Sequence, residues 1–169
     1  MAAYRTGLGF DTHRFAKGRR LVLGGVTIPA PRGLLGHSDA DVLAHAFADA
    51  VLGAVADGDI GQHFPNTDPA WKDANSLELL AAVVARARRK GWQVVNGDAT
   101  VVAEQPKLSP HVPAMRRNLA RALSVGAGDV SVKATTAEEM GALGRKEGIA
   151  AMAVVLLQRR RRRKGGASK

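Results

Sequence analysis

The chain has no cysteine, which excludes a disulfide framework and any zinc–thiolate site. Aromatic residues make up only 4%, too few to build a base-stacking platform for single-stranded nucleic acid. No apolar run approaches the roughly 20 residues that a membrane span needs. The opening MAAYRTGLGF lacks the apolar core of a secretion signal. GxGxxG, Walker and GxSxG motifs are absent, and HSDADVLAH is not the HExxH of a zinc peptidase, with no Glu after its first histidine. Missing thiols fit a reducing compartment, and a cytoplasmic location is expected.

What is present suits one domain: 169 residues, 46% hydrophobic and 24% charged. The net charge of +10 suggests a nucleic-acid partner until its distribution is read. Residues 159–169 (RRRRRKGGASK) carry seven Lys/Arg and no acid, so +10 less seven leaves +3 for residues 1–158. The chain therefore divides into a near-neutral body, 1–158, expected to be the folded domain, and a tail, 159–169, expected to be basic, solvated and disordered. No specific nucleic-acid partner and no membrane partner is expected; weak nonspecific RNA contact through the tail is the alternative.

Residues 4–12 read as a strand, and 20–28 as two short strands around Gly24-Gly25. Pro29, Pro31 and Gly33 make a loop. A helix is expected over 39–56, with Ser38 as N-cap and Asp41 completing a box-like arrangement. Its polar side chains Asp41, His45 and Asp49 recur every four residues on an otherwise apolar helix, so something must satisfy that stripe. Residues 57–75 read as a loop opening with at most one helical turn, a candidate lid. Helix 76–90, capped by Asn75 and ended by Gly91, precedes a strand over 92–103. A third helix starts at Ser109-Pro110, and strands cover 130–136 and 148–157. The order predicts an α/β sandwich of the α+β kind: one domain, a mixed sheet with helices on one face.

Asp11 and His13 fall on one face of an extended segment, because strand side chains alternate with period two. His45 from a buried helix would complete an N/N/O set with an open position, the pattern of a catalytic zinc. Asp49 or another carboxylate would orient an imidazole from behind. His37-Ser38 stand where a helix N-terminus would bind an anion, unless Ser38 merely caps it. Asp57, Asp59, Asn66 and Asp68 suit either turns or contacts to sugar hydroxyls or metal. Lys133, Thr135, Thr136 and Glu138 make either an exposed strand end or a site for phosphate and a hard cation. Arg145 and Glu147 are either a surface pair or an interface element.

With GFDTH, LLGHSDADVLAHAFADAVLGA, GDIGQHFPNTDPAWK, PKLSPH, VKATTAEEMG and GRKEGIA in this order, the chain resembles the 2-C-methyl-D-erythritol 2,4-cyclodiphosphate synthase family from about residue 5 to residue 158. The resemblance implies a phosphorus–oxygen lyase of the non-mevalonate isoprenoid pathway. Such an enzyme cyclises 4-diphosphocytidyl-2-C-methyl-D-erythritol 2-phosphate and releases CMP. The resemblance also implies a homotrimer with active sites between subunits. Asp11, His13 and His45 would bind Zn2+, one per subunit, and Glu138 a second divalent cation, Mg2+ or Mn2+.

By the same resemblance, His37 and Thr136 are the catalytic residues, stabilising the transition state. Substrate contacts would come from Asp11, Thr12 and His13, from His37 and Ser38, and from Asp59, Ile60 and Gly61. Phe64, Pro65, Asn66, Thr67 and Asp68 would contribute from a flexible loop. Ala103, Pro106, Lys107, Leu108 and Ser109 would form a neighbour's cytidine pocket, and Thr135, Thr136 and Glu138 the diphosphate contacts. Asn66 stands where the family commonly has Asp, and Ala142 where an aromatic is frequent near the trimer centre. Phe10, Arg145 and Glu147 still match a central cavity in which some members carry an isoprenoid diphosphate, so Ala142 and Arg145 are expected there. The Arg-rich tail lies outside the family pattern. A zinc-dependent phosphohydrolase is the competing enzyme class.

Overall fold

A thirteen-residue strand, β1 (Tyr4–Ala16), opens the fold in the computed structural model, which describes residues 3–160. It runs four residues past the expected end, because β4 (Gly33–Leu34), expected as loop, pairs with Phe15 and Ala16. Between them lies the hairpin β2 (Leu21–Leu23) and β3 (Val26–Ile28). Its turn residues Gly24 and Gly25 sit at φ 55° and 67°, a backbone conformation that favours glycine.

Helix α1 (Val42–Ala54) begins three residues later than expected, and its N-cap is Asp41 rather than Ser38. Asp41 is fully buried. Its carboxylate accepts the N–H groups of Leu43 and Ala44, both at 3.1 Å, and those of Gly24 and Gly25 at 2.9 and 2.7 Å. One side chain thus satisfies the helix start and the hairpin turn together, which Ser38 has no reach to do.

After α1 come the single turn α2 (Ile60–His63) and a 3-10 turn, Pro69–Trp71. Helix α3 (Ser76–Arg89) is capped by the Asn75 side chain on Leu77 N–H. Strand β5 (Trp92–Val102) leads to α4 (Val112–Leu123), which starts three residues after Ser109. Strand β6 (Val130–Thr135), the short helix α5 (Gly141–Gly144) and β7 (Gly148–Arg159) complete the described chain. β7 extends through Arg159, one residue into the expected tail, and Arg160 N–H donates to Gly91 O. The rest of the basic tail, 161–169, lies outside the described residues.

The five-stranded sheet has the order β4-β1-β7-β5-β6, antiparallel except for the parallel pair β5–β6. It is a single mixed α+β domain. α1 lies across β1, β7 and β5, with α3 beside it and α4 beyond α3 against β6, and Leu43, Phe47, Val51, Leu80, Met115 and Leu119 fill the core. The opposite sheet face carries apolar side chains in the open: Leu8 is 66% exposed beside Val154, and Phe10 56% beside Met152. No helix of the described residues is long and apolar enough to cross a membrane.

Candidate metal centre and substrate cleft

Gly7, Gly9, Asp11 and His13 alternate on the face of β1 that meets α1. A Cβ on Gly7 or Gly9 would stand 1.9 Å from the carbonyl oxygen of Ala50 or Ala46. Two glycines facing two alanines therefore let helix and strand touch backbone to backbone. That close approach carries His45 onto Asp11 and His13.

The three ligand atoms all lie within 4.8 Å of one another. Asp11 Oδ2 is 2.9 Å from His45 Nδ1 and 3.1 Å from His13 Nε2, and the two nitrogens are 3.4 Å apart. His13 Nδ1 donates to Leu35 O at 2.7 Å, so its Nε2 is the atom left for a ligand. Burial alone would raise the Asp11 carboxyl, but hydrogen bonds and charge from His13 and His45 outweigh it and hold the group well below the usual carboxylate range. Burial works against a charged His13, and the adjoining Asp11 overrides it and raises the imidazole above its ordinary value. An O/N/N donor set converging on one point, with each imidazole engaged at its far nitrogen, fits a metal ion.

Asp49 does not orient either imidazole. Its carboxylate accepts Ile60 N–H at 2.7 Å and so ties the start of α2 to α1. Burial pushes the Asp49 carboxyl up, with Asp59 and Asp11 adding to the push and the Ile60 amide opposing it. The carboxylate behind His45 is Asp39, reached through the hydroxyl of Ser76.

Around the cluster opens a cleft of about 300 Å³, lined by Asp11, His13, His37, Ser38 and His45 together with Ile60, Gly61, Phe64 and Asn66. Gly36, Trp71 and Leu79 also line it, and none of the three is evident from the sequence. The Trp71 ring meets Phe64 edge-on at 5.0 Å, which folds the 57–75 segment onto itself as a wall. His37 Nε2 donates to Asp68 O at 3.0 Å across this wall. Asp41 takes the first amides of α1, so the helix start offers none to an anion, while the side chains of His37 and Ser38 stand on the cleft wall. Asp59 caps α2 through Gln62 N–H, Pro65 and Thr67 are exposed on the loop that follows, and Thr12 is exposed on β1 with its hydroxyl donating to Ile149 O at 3.3 Å. Asp57 turns away to Arg86 of α3 and to Lys90, the residue just past the helix.

The second group of expected contacts lies elsewhere on the same chain. Asp11 pairs with Ala151, Ala151 with Val101, and Val101 with Ala134. Thr135 thus stands one residue from Asp11's own row, but three strand spacings away, roughly 14 Å. Thr136 donates to Glu138 Oε1 at 2.5 Å, and Glu104 holds the N–H groups of Ala137 and Glu139. Lys133 is taken by the carboxylate of Asp98. Ala103 and Leu108 are buried, Lys107 and Ser109 exposed, and Pro106 borders a separate pocket with Phe15 and Arg32. Ala142 is exposed on α5, and Arg145 Nε donates to Glu147 Oε1 at 2.6 Å. Among the described residues, none of this second group lines the cleft.

The YgbB family model matches residues 4–158. A protein of Geotalea uraniireducens (strain Rf4) named 2-C-methyl-D-erythritol 2,4-cyclodiphosphate synthase is 60% identical over 151 residues, covering 89% of this chain and 96% of its own. A Syntrophomonas wolfei protein of the same name is 59% identical over 151 residues, with the same coverage. Among solved structures, the bifunctional IspDF from Campylobacter jejuni superposes with TM-score 0.90 at 45% identity, covering 94% of this chain and 43% of that one. The IspF–CDP complex of Plasmodium falciparum gives 0.82 at 31% identity, covering 94% and 98%.

Proposed function

The chain belongs to the YgbB family, and from that premise we infer that it works as a phosphorus–oxygen lyase, catalysing the cyclisation step that makes 2-C-methyl-D-erythritol 2,4-cyclodiphosphate in isoprenoid biosynthesis. The substrate is 4-diphosphocytidyl-2-C-methyl-D-erythritol 2-phosphate, and CMP leaves. The observation that carries this reading is the convergence of Asp11, His13 and His45 on one point at the mouth of a cleft. Residues 1–158 form the catalytic body.

The 2-phosphate oxygen attacks the phosphorus nearer the erythritol. A P–O bond forms there, the bond from that phosphorus to the bridging oxygen breaks, and CMP departs with the electron pair. The nucleophile is already anionic, so neither a strong base nor a covalent residue is needed. When bound, Zn2+ at Asp11, His13 and His45 and Mg2+ or Mn2+ at Glu138 supply Lewis acidity to the clustered phosphates. His37 and Ser38 hold the erythritol-side phosphate, and Asp59, Ile60, Gly61 and the Phe64–Asp68 segment hold the erythritol, with Asn66 giving a neutral contact. Thr135 and Thr136 donate to the diphosphate, and His37 and Thr136 stabilise developing charge. Folding the substrate's two ends together supplies effective molarity.

Three copies complete the site. The cytidine and diphosphate contacts at Ala103–Ser109 and Thr135–Glu138 lie three strands from the metal ligands in one chain, a distance that a neighbouring copy closes. The exposed Leu8, Phe10, Met152 and Val154 supply the apolar face for that packing. Phe10, Ala142, Arg145 and Glu147 then face the trimer axis, where an isoprenoid diphosphate is the candidate ligand. Mass spectrometry of the reaction, with zinc analysis of the protein, tests the reading. Cyclic diphosphate plus CMP supports it; linear phosphates would favour the hydrolase, and absence of zinc would remove its basis.

A further inference from the structure

His45 Nε2, the nitrogen turned away from the cluster, lies 2.9 Å from Ser76 Oγ and 3.2 Å from Ser38 Oγ. Ser76 is the first residue of α3 and only 1% exposed. Both of its polar groups go to one carboxylate: its N–H to Asp39 Oδ2 at 3.2 Å and its hydroxyl to Asp39 Oδ1. A carboxylate only accepts, so the hydroxyl proton of Ser76 is committed to Asp39. Toward His45 the same oxygen is then an acceptor, and Nε2 must carry the proton. In the metal-loaded site Nδ1 then offers its lone pair on the side of Asp11.

Resting on the zinc reading of the cluster, we propose that Ser76, held by Asp39, is a positioning residue that fixes His45 as the Nε2–H tautomer and so makes Nδ1 the metal-binding atom. His13 is the mirror case: Nδ1 donates to Leu35 O, and Nε2 faces the cluster. The two imidazoles are thus locked through opposite nitrogens, one by a backbone carbonyl and the other by a hydroxyl relayed to a carboxylate. Neither Ser76 nor Asp39 lines the cleft, so the pair acts on it through the side chains that Ser76 touches, His45 at 2.9 Å and Ser38 at 3.2 Å. The relay also explains why a buried hydroxyl opens α3 although Asn75 already caps it.

Zinc titration of the metal-stripped protein against a chromophoric chelator tests this. Ser76→Ala should weaken Zn2+ about ten- to a hundred-fold, and Ser76→Thr should restore most of the loss. At saturating zinc, Ser76→Ala should lower kcat and leave KM nearly unchanged. In 15N–1H spectra of the zinc-loaded wild type, His45 should carry its proton on Nε2. Wild-type zinc affinity in a folded Ser76→Ala protein overturns the proposal, as does a wild-type spectrum with His45 bound through Nε2. The spectrum decides alone if Ser76→Ala does not fold. A wild-type protein that binds no zinc would instead sink the functional reading itself.

Discussion

Gly9 lies directly against Ala46: a Cβ on the glycine would sit 1.9 Å from the alanine's carbonyl oxygen. Backbone cannot yield as a side-chain tip does, so the helix must retreat from the strand. Gly9→Ala should therefore lower stability by about 2–3 kcal/mol. It should also reduce bound zinc well below one per chain, although no ligand is altered. Thermal unfolding and metal analysis check both; full zinc occupancy in the variant would show that the close approach does not set the site.

Much of this was legible beforehand. Period two put Asp11 and His13 on one face, and an otherwise apolar helix aimed His45 inward, because those are local facts about side-chain direction. The glycines at 7 and 9 extend the same alternation, but what they must clear is a helix more than thirty residues on. The start of α1 was misplaced for a related reason. Ser38, Asp39 and Asp41 are all capping types, and the choice is made by the amides of Gly24 and Gly25, which only the folded hairpin brings to Asp41. Nothing in the sequence points Ser76 and Asp39 at His45, since each gains that role from partners on other elements.

His45→Ala removes the one ligand that α1 contributes and leaves Asp11 and His13 on β1. Two ligands do not hold zinc as three do. Zinc stoichiometry should fall toward zero and turnover by at least 10³-fold at unchanged fold, judged by circular dichroism. Undiminished zinc in the variant would refute the ligand assignment.

Asp57 receives hydrogen bonds from Arg86 and Lys90, which hold its carboxyl well below the usual carboxylate range. A carboxyl depressed by folding adds stability above its ordinary value near pH 4, and that stability is lost as pH falls through the depressed value. Asp57→Asn should lower the melting temperature by about 3 °C at neutral pH. The gap to wild type should close on acidification below about pH 4 and narrow in high salt, since both cations are partly exposed. A gap that stays constant from pH 7 to pH 3 would mean the ion pairs contribute nothing.

Leu8 and Val154 face each other across β1 and β7 on the helix-free side of the sheet, 66% and 46% exposed in the single chain. An antiparallel sheet that keeps one face in water normally carries polar residues there. Here Phe10 and Met152 continue the apolar patch one step along the strands. Val154→Glu places a charge in the middle of it and touches neither the core nor the metal ligands. Sedimentation should show three copies per particle for the wild type and one for the variant. The monomer should keep its zinc, because Asp11, His13 and His45 come from one chain, and should lose turnover by at least about 10²-fold if, as proposed, a neighbour supplies Thr136 and Lys107 to the cleft. A monomer that cyclises substrate at the wild-type rate would show that one chain completes the site unaided.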